Sequence, residues 1–222
     1  MQKKALFEGG NDMTKTNAKI VLSSLLIITI AFIMAAVATS IIGAWAFIPL
    51  SIVYWACIFS VVRPSKDKLV NIFTTPTENS KFALLAFVPV LFCIVSFVWG
   101  IRYINGLLLI TLWVLFAVFN SVAEELFWRG YLLDNLSWNP ALKILLSTLL
   151  FSLSHMAWGV FSITIRSPVM IMTLLIMGIT WGYVYHKTKV LKWCIIAHFI
   201  VNIMILTVWV FLNIYIPPVI QL

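Results

Sequence analysis

Long apolar runs, separated by short polar intervals, dominate the chain. Several of these runs approach the roughly twenty residues that an α-helix needs to cross a hydrocarbon core of about 30 Å. Because lipid offers backbone groups no hydrogen-bond partner, and no alternating barrel pattern occurs, the runs are predicted to be helices. We predict seven spans, over residues 20–42, 46–62, 82–99, 105–123, 141–158, 168–186 and 191–214.

Composition and charge extend this prediction to the whole chain. Of the 222 residues, 63% are hydrophobic and only 10% are charged, too few polar side chains to cover a soluble globule. We expect an all-α, polytopic transmembrane bundle, with a polar tail at residues 1–19 and one membrane domain at 20–222. Thirteen of the fifteen Lys and Arg residues lie in the tail or in loops on its side, which predicts a cytosolic N-terminus. The net charge of +8 therefore reflects the loops on one side of the membrane. It predicts contact with the lipid bilayer and no nucleic-acid partner.

The first residues are compatible with two translation start sites. The first apolar run has the length of an uncleaved signal anchor, and no cleavable signal peptide precedes it. In a bacterial gene, Glu8-Gly9-Gly10 is what a ribosome-binding sequence shortly upstream of Met13 would encode. Translation from Met1 and translation from Met13 are therefore both retained as expectations.

One short segment, Ser121-Val-Ala-Glu-Glu-Leu-Phe-Trp-Arg-Gly130, places two adjacent carboxylates and an arginine at the end of an apolar run. Ionisable groups inside a membrane are costly unless they are paired or functional. On a helix, Glu125 and Arg129 are one turn apart and pair favourably, while Glu124 points about 100° away. Adjacent like charges in a low dielectric disfavour double ionisation, so we assign Glu124 as the working base or acid and Glu125–Arg129 as its support. The alternative is a buried ion pair that holds a kink.

The helix that carries these residues is predicted to continue to Asn135, because the sequence stays apolar almost to the break at Asn139-Pro140. A helix over 105–135 would be about 45 Å long and would place Glu124 about 16 Å inside its cytosolic end. We therefore expect the carboxylates within the membrane, in a cavity open to the cytosol.

Two of the three histidines also lie in apolar segments. His155 follows Phe151 by one helical turn, and its simplest alternative role is a hydrogen bond to a neighbouring helix. His198 and Asn202 are four residues apart, so both project from one helical face and can donate to a developing oxyanion. His186, beside lysines at a predicted interface, is assigned no chemistry.

These residues are compatible with peptide hydrolysis by two mechanisms. The sequence has no Gly-x-Ser-x-Gly elbow, no paired intramembrane Asp motif and no His-Glu-x-x-His, which removes the commonest serine, aspartyl and zinc proteases. In the first mechanism, Glu124 and His155 activate water while His198 and Asn202 hold the oxyanion. In the second, a divalent metal such as zinc is bound by Glu124, His155 and His198. Both mechanisms stay open on the residues alone.

Three spaced motifs resemble those of a known family. The motifs Glu124-Glu125-x-x-x-Arg129, Phe151-x-x-x-His155 and His198-x-x-x-Asn202 follow one another on successive predicted helices. In this order they resemble the CPBP family, also called Abi, of type II CAAX prenyl endopeptidases and bacteriocin-processing enzymes. The similarity covers about residues 105–205, which we take as the catalytic core.

The resemblance implies an intramembrane endopeptidase, with Glu124 and His155 activating water and with His198 and Asn202 forming the oxyanion hole. It implies no obligatory metal cofactor and leaves zinc as an alternative. The short chain resembles a bacterial member, which implies the plasma membrane. Because bacteria generally lack CAAX prenylation, the expected substrate is a membrane-associated peptide or protein. The expected role is bacteriocin or pheromone maturation, CAAX-type processing or self-immunity.

Two other functions fit the same residues. A membrane immunity or regulatory protein without catalysis would use the same fold, since fold and function separate readily. An ion-coupled transporter also carries membrane Glu and His, yet it would show inverted repeats and broken helices, which this sequence lacks. The sequence predicts neither the oligomeric state nor the individual substrate.

Overall fold

A computed structural model describes the backbone of residues 2–77 and 79–221, and the side chains of residues 16–67, 69–77 and 79–221. Within these residues every regular element is helical, which confirms the all-α prediction. The two expected starts, Met1 and Met13, lie outside the described side chains. The α-helices are α1 Gln2–Ile42, α2 Phe47–Val62, α3 Lys66–Thr74, α4 Val88–Gly100, α5 Leu107–Glu124, α6 Leu132–Asn135, α7 Pro140–His155, α8 Pro168–Thr188, α9 Lys192–Met204 and α10 Thr207–Phe211.

Five stretches of the described chain are long and apolar enough to cross a membrane, as in a multi-pass membrane protein. They are Thr16–Val62, Ser80–Tyr103, Leu107–Asn135, Pro140–Val160 and Pro168–Thr188. The first stretch contains two helices, because Gly43 adopts a φ of 58° and a 3₁₀ turn follows before α2 packs against α1. α9 is a shorter apolar helix. The count of seven spans and the cytosolic N-terminus stay predictions.

The last predicted span, 191–214, is wrong as a single helix. α9 ends before Leu206, which adopts a left-handed φ of 52°, and α10 begins directly after it. Neither Gly nor Pro marks the break, so the apolar pattern gives no sign of it. At this break the backbone carbonyl of Asn202 accepts hydrogen bonds from the Trp113 indole at 3.1 Å and from the Thr207 hydroxyl at 3.4 Å.

The helix that carries the two glutamates continues from Leu107 to Asn135, as predicted, but it is not α-helical throughout. Between α5 and α6, residues Glu125–Tyr131 form a π-helix. Such wider turns are rare and are frequent at functional sites. Every residue from Glu125 to Gly130 is buried, so this turn directs two charged side chains into the bundle.

Close helix packing fixes the position of α7. A methyl group added to Gly178 of α8 would lie 2.7 Å from Thr148 Cγ2 and 3.0 Å from Thr148 Cα on α7. One turn further, Gly182 faces the side chain of Ile144. Small residues at four-residue spacing let helix backbones approach closely in membranes. The contact holds α7, which ends at His155, directly against α8.

Candidate active site

Glu124 is fully buried, and both of its carboxylate oxygens accept hydrogen bonds. The Tyr54 hydroxyl donates to Oε1 at 2.9 Å, and the Asn120 amide donates to Oε2 at 2.9 Å. Asn120 precedes Glu124 by one turn of α5, whereas Tyr54 comes from α2. Because each carboxylate oxygen can accept two hydrogen bonds, the group is oriented and still able to accept another donor.

His155 and His198 face the same oxygen of Glu124. Their Nε2 atoms lie 3.7 Å and 3.5 Å from Glu124 Oε2. His155 Nδ1 lies 2.9 Å from the Phe151 carbonyl, and His198 Nδ1 lies 2.9 Å from Glu125 Oε1. Since a carbonyl and a carboxylate only accept, both Nδ1 atoms donate, and the Nε2 atom of each ring faces Glu124. Glu124 Oε2 and the two Nε2 atoms therefore converge on one small space.

The predicted pair of Glu125 and Arg129 is present and fully buried, with Arg129 Nη1 3.2 Å from Glu125 Oε1. The guanidinium lies 4.3 Å from the Phe151 ring centre and 5.4 Å from that of Trp181. Its nitrogens make no well-formed hydrogen bond within the described residues, so Glu125 and the two aromatic faces balance its charge. The pair was expected to support Glu124, and Glu125 Oε1 accepts a hydrogen bond from His198 Nδ1.

Asn202 brings an unpaired donor to this site. Its side-chain nitrogen is buried and has no hydrogen-bond partner in the part of the chain that the structure describes. Leaving a buried amide unpaired costs about 1–3 kcal/mol, so its position at the cavity points to an acceptor supplied by a ligand. Asn202 lines the same cavity as His155 and His198.

This cavity has a volume of about 470 Å³ and a mainly apolar wall. The wall includes residues 92–96 of α4 and residues 168–177 of α8. Those parts lie toward Arg102 and Arg166, which mark the side that the charge pattern predicts to be external. The side of the membrane to which the cavity opens stays a prediction. The three helices that carry the candidate residues meet near the C-terminal end of α7, far from its basic N-terminal turn.

Three residues at the site were not among the predicted ones: Tyr54, Trp55 and Asn120. Asn120 carried a usable signal, because it lies four residues before Glu124 on the same helical face. Tyr54 and Trp55 carried none, since α2 is a nearly continuous apolar run. His186, which was assigned no chemistry, lies in a separate cleft beside basic side chains.

Two histidines and a glutamate are zinc ligands by type, so the metal alternative is a question of geometry. Among the described residues, no three His, Cys, Asp or Glu side chains form a group that could hold a metal ion. Each Glu124 oxygen accepts one hydrogen bond, from Tyr54 or from Asn120, and keeps a second lone pair. The zinc alternative therefore stays a prediction, and no step below is routed through a metal.

Among the comparisons with known proteins, one matches the part of the chain that carries the candidate site. The family model described as type II CAAX prenyl endopeptidase, Rce1-like, matches residues 105–204. No curated protein and no solved structure matches the chain. The matched range contains all three motifs, so it confirms the resemblance drawn from them, and α1 to α4 lie outside it.

Proposed function

We propose that this chain is an intramembrane endopeptidase with a glutamate base, because residues 105–204 match the type II CAAX prenyl endopeptidase family. The family is one of proteases, so the chain is assigned peptide hydrolysis. The observation that carries the mechanism is the convergence of Glu124 Oε2 with Nε2 of His155 and of His198, at 3.7 Å and 3.5 Å. The unpaired amide of Asn202 completes the set.

Glu124 and His155 activate the attacking water. A water oxygen at a hydrogen-bond distance of about 2.8 Å from both acceptors fits beside atoms that are 3.7 Å apart. The water donates one hydrogen to each, and its lone pair is directed to the substrate carbonyl carbon. As the new C–O bond forms, Glu124 takes a proton from the water.

Asn202 and His198 stabilise the oxyanion that this attack creates. The Asn202 amide donates one hydrogen bond, which also ends its own unpaired state. His198 donates the second from Nε2, which requires a doubly protonated ring, since Nδ1 donates to Glu125. When the C–N bond breaks, the proton held by Glu124 goes to the leaving amine.

The cavity indicates what the substrate presents. Its wall is mainly apolar, so the residues beside the scissile bond are apolar or embedded in the membrane. We assign the protein to a bacterial plasma membrane, with a cytosolic N-terminus and seven crossings. Its role is then the maturation of a membrane-associated peptide or protein, or self-immunity through such cleavage.

A comparison of variants in reconstituted membranes tests the proposal. Wild type, Glu124→Ala and His198→Ala are offered short membrane-associated peptides, and products are identified by mass spectrometry. His186→Ala is the matched control, because His186 lies in a separate cleft. We expect cleavage by wild type and by the control, and none by the two site variants at equal expression. Cleavage that both site variants retain would rule out this site.

A further inference from the structure

α2 contributes two consecutive residues to the surroundings of Glu124, although it lies outside the range that matches the family. Tyr54 contacts Glu124 directly, and Trp55 reaches it through Asn120. Each residue controls a different oxygen of one carboxylate. The site of the proposed hydrolysis is therefore held from two sides, by α5 and by α2.

The hydrogen of the Tyr54 hydroxyl is directed to Glu124 by its other neighbours. The Trp128 indole donates to the Tyr54 oxygen at 3.1 Å, which occupies an acceptor position of that hydroxyl. Ser154 lies 3.3 Å away, but its own hydroxyl donates to the Phe151 carbonyl. Tyr54 has one hydrogen, and the carboxylate oxygen of Glu124 at 2.9 Å is the closer acceptor.

Trp55 determines which way the Asn120 amide points. An indole N–H can only donate, so its 3.1 Å contact with Asn120 Oδ1 requires the carbonyl oxygen on that side. The amide NH₂ group must then face Glu124 Oε2, to which it donates at 2.9 Å. Without the Trp55 donor, the amide loses one of the two interactions that oppose a flip, and a flipped Asn120 would place its oxygen against the carboxylate.

We propose that Tyr54 and Trp55 are positioning residues of the proposed peptidase, holding the Glu124 carboxylate so that Oε2 faces the two histidines. Fixing both oxygens removes rotation about the last bond of the side chain. Oε2 then keeps a lone pair for the water that His155 shares. This inference rests on the assignment of Glu124 as the base. It also makes α2 a part of the catalytic unit, which therefore extends beyond residues 105–205.

The two side chains offer substitutions that each remove one hydrogen-bonding group and keep an aromatic ring. Tyr54→Phe removes one buried hydroxyl, and Trp55→Phe removes the indole N–H but keeps an aromatic ring against Phe116 and Phe119. The matched control is Tyr185→Phe, which removes a Tyr hydroxyl that donates to Asp134 at 2.7 Å, away from the cavity. It tests the general cost of losing such a bond.

We expect Tyr54→Phe to lower kcat about 10- to 100-fold, the range for a hydrogen bond to a charged group. Trp55→Phe, which acts through Asn120, should lower kcat about 3- to 10-fold. KM should stay within about twofold, because neither residue lines the cavity. Tyr185→Phe should keep wild-type kinetics. A merely structural role would lower the amount of folded enzyme and leave kcat per folded molecule unchanged.

The measurement uses full-length protein in membranes, with active protein normalised by its thermal unfolding signal and with Glu124→Gln run in parallel. If Glu124→Gln is inactive and Tyr54→Phe matches Tyr185→Phe in kcat, this inference is overturned while the proposed function stands. If Glu124→Gln is active, the proposed function itself fails. Should Tyr54→Phe not fold, the Trp55→Phe result decides: a lowered kcat at unchanged KM supports the inference, and wild-type kcat overturns it.

Discussion

Removing the charge from each of the two adjacent glutamates should affect a different property of the protein, stability in one case and activity in the other. Glu125 lies between the Arg129 guanidinium at 3.2 Å and the His198 ring at 2.9 Å, and all three groups are buried. Glu125→Gln keeps the shape of the side chain but leaves Arg129 as a buried cation without a counter-charge. We therefore expect this variant to lose stability, whereas Glu124→Gln should lose activity and remain folded.

The magnitude follows from the separation of the charges. Two unit charges 3.2 Å apart interact by about 5 kcal/mol at an effective dielectric constant of about 20. Removing one partner of a buried pair typically costs about 3–5 kcal/mol, and we expect a loss in this range. For Glu124→Gln we expect about 1 kcal/mol, because the Tyr54 hydroxyl can turn to Ser154, 3.3 Å away, and accept from the new amide.

Thermal unfolding of the purified proteins in lipid nanodiscs measures the difference. At about 2–4 °C per kcal/mol for a chain of this size, Glu125→Gln should lower Tm by about 6–20 °C. The double variant Glu125→Gln/Arg129→Met should recover much of this loss, because it leaves no unpaired charge. It should remain a poor enzyme, since an amide oxygen is a neutral and weaker acceptor for His198 than the Glu125 carboxylate. A Tm of Glu125→Gln equal to that of wild type would refute the reasoning.

Three further outcomes are expected. Gly178→Ala should lower Tm by several degrees and reduce kcat, because its Cβ would lie 2.7 Å from Thr148 and force α7 away from α8. Gly182→Ala should lower Tm less in the same unfolding assay, because its Cβ would meet only a side chain, at 3.0 Å. Asn202→Ala should lower kcat about 100-fold with little change in Tm, since its amide nitrogen has no partner in the described residues. Strong chelators should leave the cleavage rate unchanged in the peptide assay, and restoration by added zinc after a loss would instead support the metal mechanism.

The sequence was sufficient to predict three of the helices that build the candidate site, α5, α7 and α9. Glu124, His155 and His198 were chosen because ionisable residues are costly in lipid, and the structure brings all three together. The pairing of Glu125 with Arg129 followed from their four-residue spacing. These predictions depend on local spacing and on the membrane environment, which a single sequence contains.

The remaining features depend on contacts between distant segments. Tyr54 is an ordinary aromatic residue of an apolar helix until folding brings it to Glu124, seventy residues away. The left-handed Leu206 interrupts α9 without Gly or Pro, because tertiary packing outweighs local preference there. The π-helix at Glu125–Tyr131 likewise has no signature in hydropathy.

The most direct test of the account is the single-turnover rate of peptide hydrolysis by Glu124→Gln, measured in heavy-oxygen water with protein that unfolds like wild type. The account predicts that wild type places one solvent oxygen in the new C-terminal carboxylate. It predicts a rate about 10²- to 10⁴-fold lower for Glu124→Gln, the usual contribution of a general base. Hydrolysis by Glu124→Gln at the wild-type rate would contradict the assignment of Glu124 and, with it, the mechanism built around this site.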